Sequence, residues 1–75
     1  MLILITGPQG SGKTTEANRL ARLLTNQSCI IFDECPTKRT FNLYEEDVIF
    51  ITTNIEPPEW VLKYPALIHF TMPAR

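Results

Sequence analysis

Four short apolar segments, each nearly continuous and rich in Ile or Val, constrain the fold more than any other feature of the sequence. They cover residues 2–6, 29–32, 48–52 and 66–70. Continuous rather than alternating hydrophobicity is typical of parallel strands that are covered on both faces. The connections between the segments are long enough for crossovers. The pattern therefore predicts an α/β fold, a small three-layer domain around a four-stranded parallel sheet.

The first connection carries the main helical pattern. Apolar residues recur there at helical spacing, which predicts a helix over residues 13–25 that ends at Asn26. The second connection predicts a single helical turn near residues 41–46. The third predicts a short helix over residues 59–62, between prolines that suit its start and its end. One main helix leaves part of one sheet face thinly covered, which favours self-association.

Length and composition are those of one small domain. The chain has 75 residues, of which 44% are hydrophobic and 20% charged, and its net charge is -1. That charge is too small to attract nucleic acid or an anionic membrane over its whole surface. No apolar segment reaches membrane-spanning length, and two cysteines, Cys29 and Cys35, cannot form a secreted-type disulfide framework. We expect a single domain over residues 1–75 that is soluble and cytoplasmic.

A glycine-rich segment between the first strand and the main helix matches the pattern G-x-x-x-x-G-K-[ST] at every fixed position. Together with the residue that follows, it consists of Gly7, Pro8, Gln9, Gly10, Ser11, Gly12, Lys13, Thr14 and Thr15. Glycines let the backbone turn tightly and direct N–H groups at phosphate oxygens, and the helix N-terminus adds partial positive charge. We expect these residues to bind ATP or another nucleoside triphosphate, with Lys13 at the β- and γ-phosphates and Thr14 as a Mg²⁺ ligand.

Polar side chains follow the second and third predicted strands. Asp33 and Glu34 come directly after the second strand, and Asn54 follows the third. Because the carboxyl ends of parallel strands share one crevice, we expect these side chains to face the glycine-rich loop. Asp33 is predicted to hold Mg²⁺, Glu34 to activate the attacking water, and Asn54 to hold that water or contact the γ-phosphate. A glutamate in this place favours hydrolysis over phosphoryl transfer.

In this order, the loop, the hydrophobic-Asp-Glu strand and the Ile-Thr-Thr-Asn strand resemble the ATPase core of superfamily 3 helicases. The resemblance is greatest to the replication-initiator (Rep) helicase domains of small circular single-stranded DNA viruses. Residues 50–60 are very similar to that family's sensor motif and the segment after it. The resemblance extends from residue 2 to about residue 70. It implies a P-loop NTPase core of the RecA/AAA+-like type, with strand order 4-1-3-2, Glu34 as catalytic residue and Asn54 as sensor.

The sequence also departs from that family. The 75 residues contain no counterpart of its nuclease domain, of its oligomer-building helices, or of one of its strands. Lys63 stands roughly where the family has an arginine pair, so Lys63, Arg39 and Arg75 are the candidates for a trans-acting cation. Lys38 and Arg39 lie where the family places a basic DNA-contacting loop. A solvated charge pair is the alternative interpretation of these two residues.

We therefore expect a Mg²⁺-dependent, helicase-like ATPase of a virus, phage or mobile element, acting as a homo-oligomer on or near nucleic acid. Two alternatives stay open. One is a nucleotide-dependent binding module with little or no hydrolysis. The other is a small nucleotide kinase, which is less favoured because the chain has no lid region with arginines. We expect His69 to be a strand residue rather than a ligand, and Trp60 a core or interface residue rather than a base-stacking platform.

Overall fold

The sheet forms where the sequence places its continuous apolar runs. The computed structural model describes residues 1–74, which fold in the order β1 (Leu2–Thr6), α1 (Lys13–Leu23), β2 (Cys29–Phe32), α2 (Lys38–Phe41), β3 (Val48–Thr53), α3 (Glu59–Leu62) and β4 (Leu67–Thr71). All strands pair in parallel, in the order β2-β3-β1-β4. This is the predicted order 4-1-3-2 counted from the other edge. The predicted α/β class, parallel sheet and strand order are confirmed.

Successive residues of the central strands face opposite sides of the sheet, so each strand contributes to two apolar clusters. One side carries Leu2, Leu4, Phe41, Ile49, Ile51 and Val61. The other side carries Ile3, Ile5, Ala17, Val48 and Phe50. Helix α1 therefore covers one face, and α2 and α3 cover the other. Strand β3 is buried along its whole length, because it lies between β1 and β2.

Helix α1 packs through the apolar stripe that its sequence predicts. Ala17 is fully buried, and the partly buried side chains packed beside it are Leu20, Ala21 and Leu24. The helix ends at Leu23 rather than at residue 25, because Leu24 leaves the helical region and a turn follows in which the Gln27 N–H donates to the Leu24 carbonyl. The arginines of α1 lie on its exposed side.

Helix α2 occupies residues Lys38–Phe41, so the prediction of a turn near residues 41–46 is wrong in position. The reason is an N-cap that the sequence analysis missed. The hydroxyl of Thr37 accepts a hydrogen bond from the Thr40 N–H at 3.2 Å, which starts the helix three residues earlier. Phe41 is thereby directed into the core, where its ring lies 5.0 Å from that of Trp60.

Helix α3 forms at Glu59–Leu62, as predicted, directly after Pro58. Both α2 and α3 are single turns, so two short elements and their aromatic side chains cover this face of the sheet. Trp60 is half-buried there and packs against the core cluster. Its place agrees with the prediction of a core or interface residue.

Strand β4 is the most exposed strand of the sheet. It pairs with β1 alone, and Ile68 and Phe70 keep 40% and 43% of their surface accessible. His69 lies within this strand, as predicted, and its Nε2 is 2.9 Å from the Thr6 hydroxyl oxygen. Within residues 1–74, no helix has the length and apolar character needed to cross a bilayer.

Candidate functional site

The glycine-rich loop, residues 7–14, uses its glycines where other residues would be strained. Gly10 and Gly12 have φ angles of 81° and 88°, and Gly12 caps the start of α1. Gly7 has φ 150°, and a Cβ built there would approach the Met72 carbonyl oxygen to 2.6 Å. The base of the loop is therefore in close contact with the segment that follows β4.

A cleft of about 500 Å³ opens where this loop meets the carboxyl ends of β2 and β3. It is lined by Gln9, Gly10, Gly12, Lys13, Thr14, Thr15, Asp33, Glu34, Thr52, Thr53 and Asn54. The fold thus brings three separate predicted motifs to one surface, as expected for the carboxyl edge of a parallel sheet. Three predicted loop residues, Gly7, Pro8 and Ser11, lie outside this lining.

Ser11 is the loop residue whose placement differs most from the prediction of phosphate contact. Its side chain is buried, and within residues 1–74 its hydroxyl has no hydrogen-bond partner. Its N–H donates to the Pro8 carbonyl at 3.2 Å, which closes the turn of the loop. In this conformation Ser11 is buried under the loop and contributes to the loop's turn through its backbone.

The side chain of Lys13 lies over the loop. Its Nζ donates to the Pro8 carbonyl oxygen at 2.8 Å, and the residue lines the cleft. The cation and the N-terminus of α1 make this side of the cleft electropositive. Asp33 and Glu34 line the same cleft and supply its negative charge. A polyphosphate with a bound divalent cation matches this combination of charges.

Thr14 and Asp33 form a direct contact between the first and second motifs. The Thr14 hydroxyl donates to Asp33 Oδ1 at 3.0 Å. Both groups offer hard oxygen ligands, which Mg²⁺ prefers, and Mg²⁺ commonly uses one or two protein ligands beside phosphates and water. Among residues 1–74, no three His, Cys, Asp or Glu side chains gather into a metal-binding group. The Thr14–Asp33 pair is therefore the candidate site for a phosphate-bound Mg²⁺.

Glu34 lies within hydrogen-bonding reach of Thr53, a residue that the sequence did not point to as part of the site. The Thr53 hydroxyl donates to Glu34 Oε2 at 3.4 Å and accepts the Ile55 N–H at 3.2 Å. The sequence signal for Thr53 was the change from apolar to polar residues at the end of an otherwise apolar strand.

Cys35 directly follows Glu34. Burial raises the pKa of the Cys35 thiol, and the negative charge of Glu34 raises it further.

Two of the predicted trans-acting cations, Lys63 and Arg39, do not line the cleft. Lys63 pairs with Glu59, with Nζ and Oε1 2.6 Å apart, and both side chains are largely exposed. Arg39 is in α2 together with Lys38, so the predicted basic loop is the first turn of a helix. Arg75 lies outside the described residues. Within residues 1–74, Lys13 is the one cationic side chain that lines the cleft.

Comparisons of this chain with protein-family models, with curated proteins and with solved structures gave no match.

Proposed function

We propose that this protein binds a nucleoside triphosphate with Mg²⁺ and hydrolyses it, ATP being the expected substrate. The observation that carries the proposal is the cleft itself. It joins the glycine-rich loop, an acidic pair and a polar strand end, which are about twenty residues apart in sequence. Chance acidic residues after strands are common, but their convergence on a loop of this pattern supports nucleotide chemistry.

Each side chain of the cleft has a role in this proposal. Lys13 and the amides of the loop bind the phosphates, since cationic and N–H donors form strong bonds to phosphate oxygens. Thr14 and Asp33 hold Mg²⁺, which supplies neutralisation of phosphate charge when bound. Glu34 accepts a proton from the attacking water, and Asn54 orients that water or senses the γ-phosphate.

The resemblance of residues 50–60 to Rep helicases supports a more specific proposal. In it, the ATPase is helicase-like, belongs to a virus, phage or mobile element, and works as a homo-oligomer in the cytoplasm on or near nucleic acid. Lys38 and Arg39 are the proposed nucleic-acid contacts, because both are exposed on α2. Their charge is local, as the small net charge of the chain requires.

One observation favours the binding-module alternative. Lys13 is the sole cation in the lining within residues 1–74, whereas charge in the transition state of phosphoryl transfer is usually met by further cations. An isolated copy with this site would bind nucleotide and turn it over slowly. Nucleotide binding would then order the surface around the cleft for a partner.

Phosphate release from Mg-ATP, with and without single-stranded DNA, tests the proposal. Glu34→Gln keeps the size of the side chain but removes the proton acceptor, so we expect ATP to bind while turnover falls roughly 10²-fold. Glu56→Gln is the matched control, because Glu56 is also an exposed glutamate, two residues after Asn54, but does not line the cleft. Equal turnover in both variants would contradict the role of Glu34 as proton acceptor, and nucleotide binding without any turnover in wild type would favour the binding module.

A further inference from the structure

We infer that Thr53 is a positioning residue that holds the Glu34 carboxylate in place for proton acceptance, an inference that rests on the proposed function. Thr53 is the last residue of β3 and has no accessible surface. Glu34, in contrast, is exposed and lies in a connection rather than in a strand. The contact between them therefore joins an exposed side chain to a fully buried residue at the end of a central strand.

The hydrogen bonds of Thr53 fix the direction of this contact. A hydroxyl carries one proton and two lone pairs, and an ionised carboxylate can only accept. The Ile55 N–H, 3.2 Å from the hydroxyl oxygen, occupies a lone pair, so the hydroxyl proton stays available for Glu34 Oε2 at 3.4 Å. In this inference, the other carboxylate oxygen, Oε1, accepts the proton from water.

The same hydroxyl connects two motifs of the cleft. Ile55 directly follows Asn54, so the bond to its N–H holds the turn that carries the Asn54 amide. One side chain thus sets the position of both the predicted proton acceptor and the predicted sensor. The neighbouring Thr52 differs, because its hydroxyl donates to the Phe32 carbonyl and joins β3 to the backbone of β2.

The test compares wild type, Thr53→Val and Thr53→Ser in Mg-ATP turnover and in affinity for a non-hydrolysable ATP analogue. Valine keeps the shape and removes the hydroxyl, while serine keeps the hydroxyl. A hydrogen bond to a charged group supports an effect of about tenfold. We expect Thr53→Val to lower kcat about tenfold with KM and analogue affinity unchanged, and Thr53→Ser to retain most of the turnover.

A second comparison distinguishes positioning of Glu34 from a general structural role. In the Glu34→Gln background, Thr53→Val should lower single-turnover hydrolysis by less than twofold, since the group that it positions is already disabled. An undiminished tenfold loss in that background, or an unchanged or higher kcat in the single variant, would overturn the inference. Thermal unfolding of each variant shows whether the fold is kept.

If Thr53→Val does not fold, serine and cysteine provide a matched pair of similar size that differ in donor strength. Thr53→Cys should then lose turnover relative to Thr53→Ser, and equal turnover would overturn the inference. The same experiments distinguish failure of the proposed function from failure of the inference about Thr53. Absence of turnover in wild type overturns both, whereas wild-type turnover that is insensitive to every Thr53 variant overturns only the role of Thr53.

Discussion

In the proposed function, Lys13 is the residue on which nucleotide affinity should depend most. It supplies the one cationic side chain of the cleft within residues 1–74, beside the N-terminus of α1. Lys13→Ala should therefore weaken ATP binding by at least about 10-fold, because charge-assisted bonds to phosphate contribute roughly 1.5–3 kcal/mol. Isothermal titration calorimetry measures the change. Arg22→Ala removes an equal charge from the exposed side of the same helix and should leave affinity within about twofold.

Two glycines of the loop make a matched pair for stability. At Gly10, a Cβ would meet nothing within 4 Å, so Gly10→Ala adds only backbone strain, about 1–2 kcal/mol. At Gly7, strain is joined by a 2.6 Å approach to the Met72 carbonyl oxygen, and Gly7→Ala should lower the free energy of unfolding by about 3 kcal/mol. Urea unfolding of both variants checks the order, and equal losses would contradict the close contact between the loop and the segment that follows β4.

Residues that belong to a fixed sequence motif were predicted as site residues. A residue that reaches the cleft only through a contact in the fold was not predicted. Lys13, Thr14, Asp33, Glu34 and Asn54 were predicted to converge, and they line one cleft. Thr53 was not predicted as a site residue. Threonine is β-branched and common in strands, so its presence at the end of a strand gives no sign of a functional role. Only the fold shows that its hydroxyl reaches Glu34, nineteen positions earlier in the sequence.

The strands were predicted within one residue, whereas one short helix was misplaced. Continuous apolar runs leave few alternatives for a strand, since both faces must be buried. A single helical turn has no periodicity to detect, and its position depends on the cap. Thr37 caps α2, but threonine is also common in loops, so the residue alone did not decide where the turn begins.

The unequal burial of the strands predicts an unequal response to the loss of one methyl group. Ile51 in β3 is fully buried, while Ile68 in β4 is 40% exposed. Ile51→Val should lower the free energy of unfolding by about 0.5–1.5 kcal/mol, and Ile68→Val by about 0.5 kcal/mol or less. Urea denaturation of a dilute sample measures both. If Ile68→Val lowered the free energy of unfolding more in a concentrated sample than in a dilute one, the difference would indicate that β4 is covered in an oligomer.

For the whole molecule, two features point to a site completed by another copy. The cleft holds one cation within residues 1–74, and Arg39 and Lys63 lie elsewhere on the surface. Apolar side chains also stay accessible on β4, at Ile68 and Phe70, and exposed apolar surface favours association. A cation supplied in trans accelerates phosphoryl transfer by about 10³–10⁵. Copies that present Arg39, Lys63 or Arg75 to a neighbour's cleft would provide it.

If another copy completes the site, the specific activity should rise with protein concentration, because a single copy would lack the second cation. We expect light scattering to show an oligomer in the presence of an ATP analogue. Alanine variants of Arg39, Lys63 and Arg75 identify the cation as the one whose loss abolishes turnover but keeps nucleotide binding. Mixing that variant with Glu34→Gln protein should restore part of the activity, since each copy supplies the group that the other lacks. A monomer whose specific activity does not depend on concentration would instead have a self-contained site, with Lys13 as its sufficient cation.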